Sequence, residues 1–558
     1  MAERFEHHAR LMSALTFVSR ITGLIRDGAI ARVFGVGPIN DAFAFAFLIP
    51  NLFRRLFGEG ALSSAFIPRY SELERDDPER ARRALGLVLV LLAGLLWSLV
   101  VVGEIAVILA WSRAPEIAYS YTPPMRIGGV PVMGVSVSYV RLSYELTALM
   151  LPYMPLICLV AMGGAALQVH RRFGPTAGSP IILNLCFIIA TLAFAPFALG
   201  ATLEPTTRIR IVAGSVLVSG LLQLAWTMLA LRIARPTVVL GDPVAWASVR
   251  ATLLQAVPMM LGLGVLQLNT LVDGLIASWP TIVGPKIFGI DYPLAEGAMS
   301  SIGYAQRLYE FPLGVFGISI ATAVFPLLAR QNNDLPAFAT TVRRALRLTV
   351  FVGLPASVGL VLVARESVAA LFQGGEFGSD DTARVAWVLM GYAPAIWSYQ
   401  MCHVLSRAFY ARKESMTPVL VSLAIVFLNL TLNITLIFTP LREAGLAWST
   451  ALCSVIQAMV LSRILSRRVP GIIDREVVRA WGRTLAISLV MGLAVFGVAR
   501  FLPVSNQMGS IWIGLSLKVA VALAVYFGVS RWLRVPEYSW FFQRKLPESS
   551  ARDTVSTR

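Results

Sequence analysis

"ALGLVLVLLAGLLWSLVVVGEIAVILAW", residues 84–111, carries one charged side chain, Glu104, in 28 positions. At 1.5 Å per residue a helix of that length more than spans the roughly 30 Å of bilayer hydrocarbon. Arg82 and Arg83 close it at one end. Runs of the same kind recur on both sides of it, along all 558 residues. The chain is 56% hydrophobic and 14% charged, with a mean hydropathy of +0.70. Soluble domains carry about 25% charged residues. The sequence therefore describes an all-α polytopic membrane protein with no room for a large soluble domain.

Fourteen spans are expected, at 11–34, 39–67, 84–111, 143–169, 180–200, 210–234, 246–278, 298–329, 345–364, 384–410, 416–438, 444–466, 480–502 and 509–533. The net charge of +17 sits at their edges, in the pairs Arg82–Arg83, Arg171–Arg172, Arg343–Arg344 and Arg467–Arg468. All four fall after even-numbered spans, which makes those loops and both termini cytoplasmic. This placement argues against nucleic acid as a partner. The charged stretch "ELERDDPERARR" (72–83) reads as a solvated cytoplasmic loop, not a catalytic cluster. Cys158, Cys186, Cys402 and Cys453 lie inside apolar runs and read as small core residues. The N-terminal stretch lacks a small-x-small cleavage site, so it reads as a retained first span.

The chain repeats itself. "RDGAIA" (26–31) matches "VDGLIA" (272–277), aligning Asp27 with Asp273. "SSAFIP", ending at Pro68, matches "ATAVFP", ending at Pro326, and Pro180 aligns with Pro418. Three matches in one order predict a parallel duplication: an N-terminal lobe at 1–235, a second lobe at 236–468, a two-span hairpin at 469–535 and a cytoplasmic tail at 536–558.

Polar residues inside the spans mark the site. "RITGLIRDGAIARVFG" (20–35) places Arg20, Arg26 and Asp27 well inside the hydrocarbon. An arginine there costs from about 3 to more than 10 kcal/mol unless it meets water or a partner. Arg32, nearer the end, can snorkel. The second span carries Asp41, Asn51, Arg54, Arg55 and Glu59 around the helix-kinking Pro50, and the eighth carries Arg307 and Glu310 before Pro312. Arginine suits phosphate because its planar fork donates two parallel hydrogen bonds and keeps its charge. The residues thus point to a transporter for a large, plausibly phosphorylated anion. No G-x-x-x-x-G-K-[ST] loop precedes any of the four lysines, which leaves the membrane potential or an ion gradient as the driving force. Asp273, with Asn429, Asn433, Ser449 and Thr450, offers hard-cation chemistry. The equal alternative is that the asparagines only hydrogen-bond between helices.

"SRITGLIRDGAIARVFG", "NDAFAFAF", "IPNLFRRLFGEGALSSAFIP", "RLYEFPLGVFGISIATAVFPLL" and "RAFYARKESMTPV" resemble the signatures of the bacterial MurJ/MviN family, lipid II flippases of the MOP exporter superfamily. The resemblance covers about the first 465 residues and is densest at 19–70 and 303–330. It implies two six-helix lobes around a central cavity, with two C-terminal helices edging a lipid groove. The implied cargo is lipid II, undecaprenyl-diphosphate bearing the peptidoglycan disaccharide-pentapeptide, moved across the bacterial inner membrane without any covalent change. By motif match, Arg26, Asp27, Arg54 and Arg307 are the cavity residues, with Ser19, Arg20, Asp41, Asn51 and Glu59 at neighbouring positions. The family also implies a sodium ion as coupling ion at Asp273, Asn429, Asn433 and Ser449 or Thr450, although asparagines stand where a further carboxylate is expected. Membrane lipids and other cell-wall synthesis proteins are the implied partners. The extended loops around 112–141 and 279–297 read as tolerated insertions. The alternatives are a flippase for another lipid-linked oligosaccharide and a multidrug exporter of the same superfamily. The latter should line its cavity with carboxylates and aromatics. A polyprenyl-phosphate sugar transferase would need a metal-binding carboxylate cluster, and the spans hold none.

Overall fold

The computed structural model describes residues 2–58, 61–114, 125–127, 130–132, 139–239, 241–501 and 508–542. Apolar sequence in lipid must satisfy its backbone internally, so nearly everything described is helix. In chain order these are α1 (Ala2–Phe34), α2 (Pro38–Phe53), α3 (Ala61–Asp76), α4 (Pro78–Arg113), α5 (Tyr139–Met150), α6 (Tyr153–Val169), α7 (Gly174–Ala193) and α8 (Pro205–Leu231). Then follow α9 (Pro243–Ile282), α10 (Ala298–Pro312), α11 (Ile318–Arg330), α12 (Leu335–Leu362), α13 (Ala364–Phe372) and α14 (Ser379–Tyr392). The last are α15 (Ile396–Ala411), α16 (Met416–Ile437), α17 (Glu443–Arg468), α18 (Arg475–Phe501), α19 (Met508–Trp532) and α20 (Pro536–Phe542).

Among the described residues, ten helical stretches are long and apolar enough to cross a membrane. The expected spans at 11–34, 246–278 and 384–410 are helical as well, and so are the described residues of 39–67. α1 carries Arg20, Arg26, Asp27 and Arg32. The second span is interrupted by a π-helical turn at Arg54–Gly58 between α2 and α3. The tenth is broken by a 3₁₀ turn at Ala393–Ala395 around Pro394. α9 runs 40 residues, with several side chains of its first half outside the described set. A second π turn, Leu313–Gly317, follows Pro312 in the eighth span. Leu313 lies 259 positions after Arg54, close to the spacing of Pro68 and Pro326.

The charged stretch 72–83 departs from its expectation as a loop. α3 runs to Asp76 and α4 starts at Pro78, leaving Asp77 alone between them. Its carboxylate accepts the Arg80 N–H at 3.2 Å, an N-cap followed by proline at the first helical position. The loop at 279–297 forms a hairpin of β1 (Lys286–Ile287) and β2 (Ile290–Asp291). Trp279 stacks on Tyr292 at 5.8 Å, and the Tyr292 hydroxyl donates to the Ile276 carbonyl at 2.8 Å. Most of 115–138, like the tail beyond 542, lies outside the described residues.

The described chain divides into two compact units. The first comprises 1–304, 371–385 and 430–446. Its core is built on Leu85, Leu96, Leu146, Cys158 and Met162, interleaved with small residues such as Ala165 and Ala166, because helices in lipid associate through close packing and not through water exclusion. In this unit the end of α1 meets the segment after α13: the Glu376 N–H donates to the Arg32 carbonyl at 2.9 Å. Only glycine fits at 375, where φ is +61° and a Cβ would lie 2.1 Å from that carbonyl oxygen. The second unit comprises 305–370, 386–429 and 447–558. Phe338, Phe409, Leu461, Leu465 and Ile472 belong to one core in it.

Candidate functional site

In the first unit, α1 presents Arg26 and Asp27 side by side. Both the Nε and one Nη of Arg26 donate to a single Asp27 oxygen, at 2.9 and 2.6 Å. The guanidinium carbon stands 5.4 Å from the Phe187 ring centre on α7, a cation–π contact. Its other Nη donates to the Asn184 side-chain oxygen at 3.0 Å. Ser19 enters through its backbone carbonyl, which accepts from Asn184 at 3.0 Å. Arg20 is exposed. The helical wheel puts Arg20 on the face of Asp27, yet Arg26 makes the pair.

Phe187 belongs to an aromatic wall. Phe47 meets it edge-on at 5.7 Å and stacks on Tyr153 at 6.4 Å. Tyr153 is buried and within electrostatic reach of both Arg54 and Arg26. Arg54 opens the π turn, and its Nε donates to the Asn51 side chain at 3.0 Å. π turns often sit at functional sites because the extra residue re-aims the side chains around it. The structure thus gathers Ser19, Arg26 and Asp27 in one place and Asn51 with Arg54 in another, joined by the wall of aromatic rings. Glu59 lies outside the described residues.

Asp41 has a different task. Its carboxylate accepts the backbone N–H of Gly297 at 2.6 Å and of Ser300 at 2.7 Å. It thereby caps α10 from α2, where the helix dipole favours a negative charge. Glu296 adjoins this cap in the 279–297 loop. Burial, reinforced by the charge of Asp41, pushes its carboxyl up to about 7. The guanidinium of Arg384 donates to the Glu296 carbonyl at 2.8 Å and to the Glu443 carboxylate at 2.5 Å.

In the second unit, Arg307 on α10 pairs with Glu310 one turn on, at 3.8 Å. Beside it, Tyr309 stacks between Tyr392 and Tyr399, at 4.6 and 5.5 Å.

A family model described as "Lipid II flippase MurJ" matches residues 30–515. The chain belongs to the lipid II flippase MurJ family. A curated relative from Rhizobium tropici, "Probable lipid II flippase MurJ", is 30% identical over 524 residues, covering 92% of each chain. A solved structure of a lipid II flippase MurJ in an inward closed conformation superposes with a TM-score of 0.72 at 23% identity, covering 94% of this chain and 99% of the other. An inward-facing multidrug resistance MATE transporter of the MOP superfamily gives 0.57 at 14% identity, covering 83% and 94%. Both are likenesses of fold. The family is one of transporters, not enzymes.

The sodium ion that the family resemblance implies can be tested against the residues present. Asp273 accepts amide N–H groups on both oxygens, from Asn433 at 2.5 Å and from Asn269 at 3.2 Å. Asn429 donates to the Ser449 hydroxyl at 3.3 Å. Among the described residues, no group of three or more His, Cys, Asp or Glu side chains could hold a metal. A hard cation is held by converging oxygens. In this arrangement the amide hydrogens, not the amide oxygens, face the carboxylate, and no step below depends on a cation there.

Asn184 and Phe187 escaped the reading of the sequence. Asn184 is uncharged and stands within "GSPIILNL", where its one signal is being the polar residue of an apolar run.

Proposed function

We propose that this chain is a lipid II flippase of the bacterial inner membrane, with both termini in the cytoplasm. One observation supports this reading most directly. A withdrawn arginine, Arg26, has the adjacent Asp27 as its counter-charge and an aromatic ring beneath it. Such a pair is stable while the site is empty. It opens to a ligand that offers better-placed negative oxygens, because a diphosphate accepts several charge-assisted hydrogen bonds at once. Arg26, Arg54 and Arg307 hold the diphosphate in this mechanism, with Ser19, Arg20 and Asn51 as their neighbours. Asp27 takes Arg26 back after release. Residues 1–235 and 236–468 act as two lobes that alternate access, the membrane potential supplying about 2.3 kcal/mol per elementary charge per 100 mV. The hairpin 469–535 guides the prenyl tail along lipid.

The test uses cells whose own lipid II flippase can be switched off. Wild-type chain restores cleavage of lipid II by a toxin added from outside, and Arg26→Ala, expressed equally, does not. Well-expressed wild type that restores nothing moves the assignment to another lipid-linked glycan. Full activity in Arg26→Ala removes the diphosphate role of Arg26.

A further inference from the structure

We infer that Asn184 is a positioning residue for Arg26, one that ties α7 to α1 and aims the guanidinium for the lipid diphosphate. The inference rests on the flippase reading above and deepens it.

All the hydrogen-bonding capacity on the Asn184 amide nitrogen is spent on α1. One N–H goes to the Ser19 carbonyl at 3.0 Å and the other to the Thr22 hydroxyl at 3.1 Å. Two donors so fixed settle which end of the amide is oxygen. That oxygen is left for the Arg26 Nη at 3.0 Å. The side chain is 4% exposed, so it is held for these contacts and not for water. α1 and the amide are in contact here: a Cβ at Gly23 would stand 3.5 Å from the Asn184 amide nitrogen.

The geometry divides the labour at Arg26. Asp27 neutralises the guanidinium through Nε and one Nη, and Phe187 sets its height. Asn184, neutral and rigidly anchored, fixes the direction of the other Nη without competing for charge. When an anion replaces Asp27, Asn184 stays bonded and the guanidinium keeps its plane. Pre-organisation of this kind lowers the ordering cost of binding.

The duplicated half of the chain supplies an independent observation. Aligning Asp27 with Asp273 puts Val272 where the first half has Arg26. Aligning Pro180 with Pro418 puts Ser422 where the first half has Asn184. Ser422 accepts from Gln457 on α17 at 3.0 Å, an ordinary helix-to-helix bond. Where the arginine is absent, the aligned position carries no asparagine, and α16 meets Asp273 from a different position, through Asn433.

The experiment is a double-mutant cycle on the purified full-length protein in nanodiscs, titrated with lipid II by microscale thermophoresis, with thermal unfolding recorded alongside. A lost hydrogen bond to a charged group predicts that Asn184→Ala weakens binding by about 10-fold. Thr22→Val, which keeps shape and removes one anchor, should weaken it by about 2- to 3-fold. In an Arg26→Ala background both substitutions should change binding by less than about 2-fold. Equal losses in both backgrounds would mean that Asn184 only stabilises the fold, and the inference is overturned. If wild type binds lipid II and Arg26→Ala binds equally well, the positioning role falls while the flippase reading survives. A wild type that binds no lipid II overturns both. Thr22→Val keeps the cycle readable if Asn184→Ala does not fold.

Discussion

Glu537, on the last described helix, lies 2.5 Å from Arg347 on α12, and the two side chains are 1% and 6% exposed. Glu476 reaches the same arginine at 2.5 Å, and Arg483 approaches Glu537 at 3.4 Å. Trp540 lies beneath the guanidinium, 4.9 Å away. Removing one member of a buried pair strands the other, which typically costs about 3–5 kcal/mol. Arg347→Met should therefore lower the thermal midpoint in detergent sharply, and Glu476→Gln, whose partner keeps Glu537, only slightly. Equal midpoints for the two variants would refute the hierarchy.

The cap on α10 predicts a local effect. Asp41→Ala leaves the N–H groups of Gly297 and Ser300 without their acceptor, at about 1–3 kcal/mol for each group that stays buried. Asp41→Asn keeps one acceptor and should lose about half as much. Hydrogen exchange at Gly297 and Ser300 reads this directly: both amides should exchange faster in the alanine variant while the core of α4 is unchanged.

Glu296 predicts how stability follows pH. Its folded pKa, about 7, lies above the ordinary glutamate value near 4.3. The folded state therefore holds the proton more tightly than the unfolded chain. The stabilisation is fully present below the unfolded value and is lost as pH rises through about 7. Glu296→Gln mimics the protonated carboxyl. Its thermal midpoint should match that of wild type at pH 4 and exceed it at pH 8, and a constant offset between the two proteins would refute the assignment.

At the hairpin tip, Phe288 adopts φ +49° before Gly289 at +83°, and it is 99% exposed. Two left-handed residues in a two-residue turn favour Asn-Gly. Phe288→Asn removes an αL penalty of about 1 kcal/mol and gives up no packing, so it should stabilise the loop. Slower proteolysis between β1 and β2 would be the readout.

Apolar length and arginine placement made most of the fold legible, since both follow from the bilayer. The breaks were harder to read. Pro50 and Pro312 announce kinks, but a π turn at Arg54–Gly58 depends on how the extra residue is accommodated, and no local pattern states that. At the site, Arg26, Asp27 and Arg54 stood out because charge in lipid is costly. Asn184 did not, because a buried amide costs little once bonded and looks like any helix-packing residue. Which arginine pairs with Asp27 was not legible either, because a helical wheel gives the direction of the Cα–Cβ bond and not the reach of a long side chain.

The paired π turns also bear on the protein's history. Each is one residue too many for an α-helix, and each ends in Phe-Gly, at Phe57–Gly58 and Phe316–Gly317. Two separate insertions at matching places would be a coincidence. A single insertion in a half-length chain that later doubled would account for both. The irregularity is then older than the asymmetry that gave Arg26 and Asn184 to one half and Val272 and Ser422 to the other.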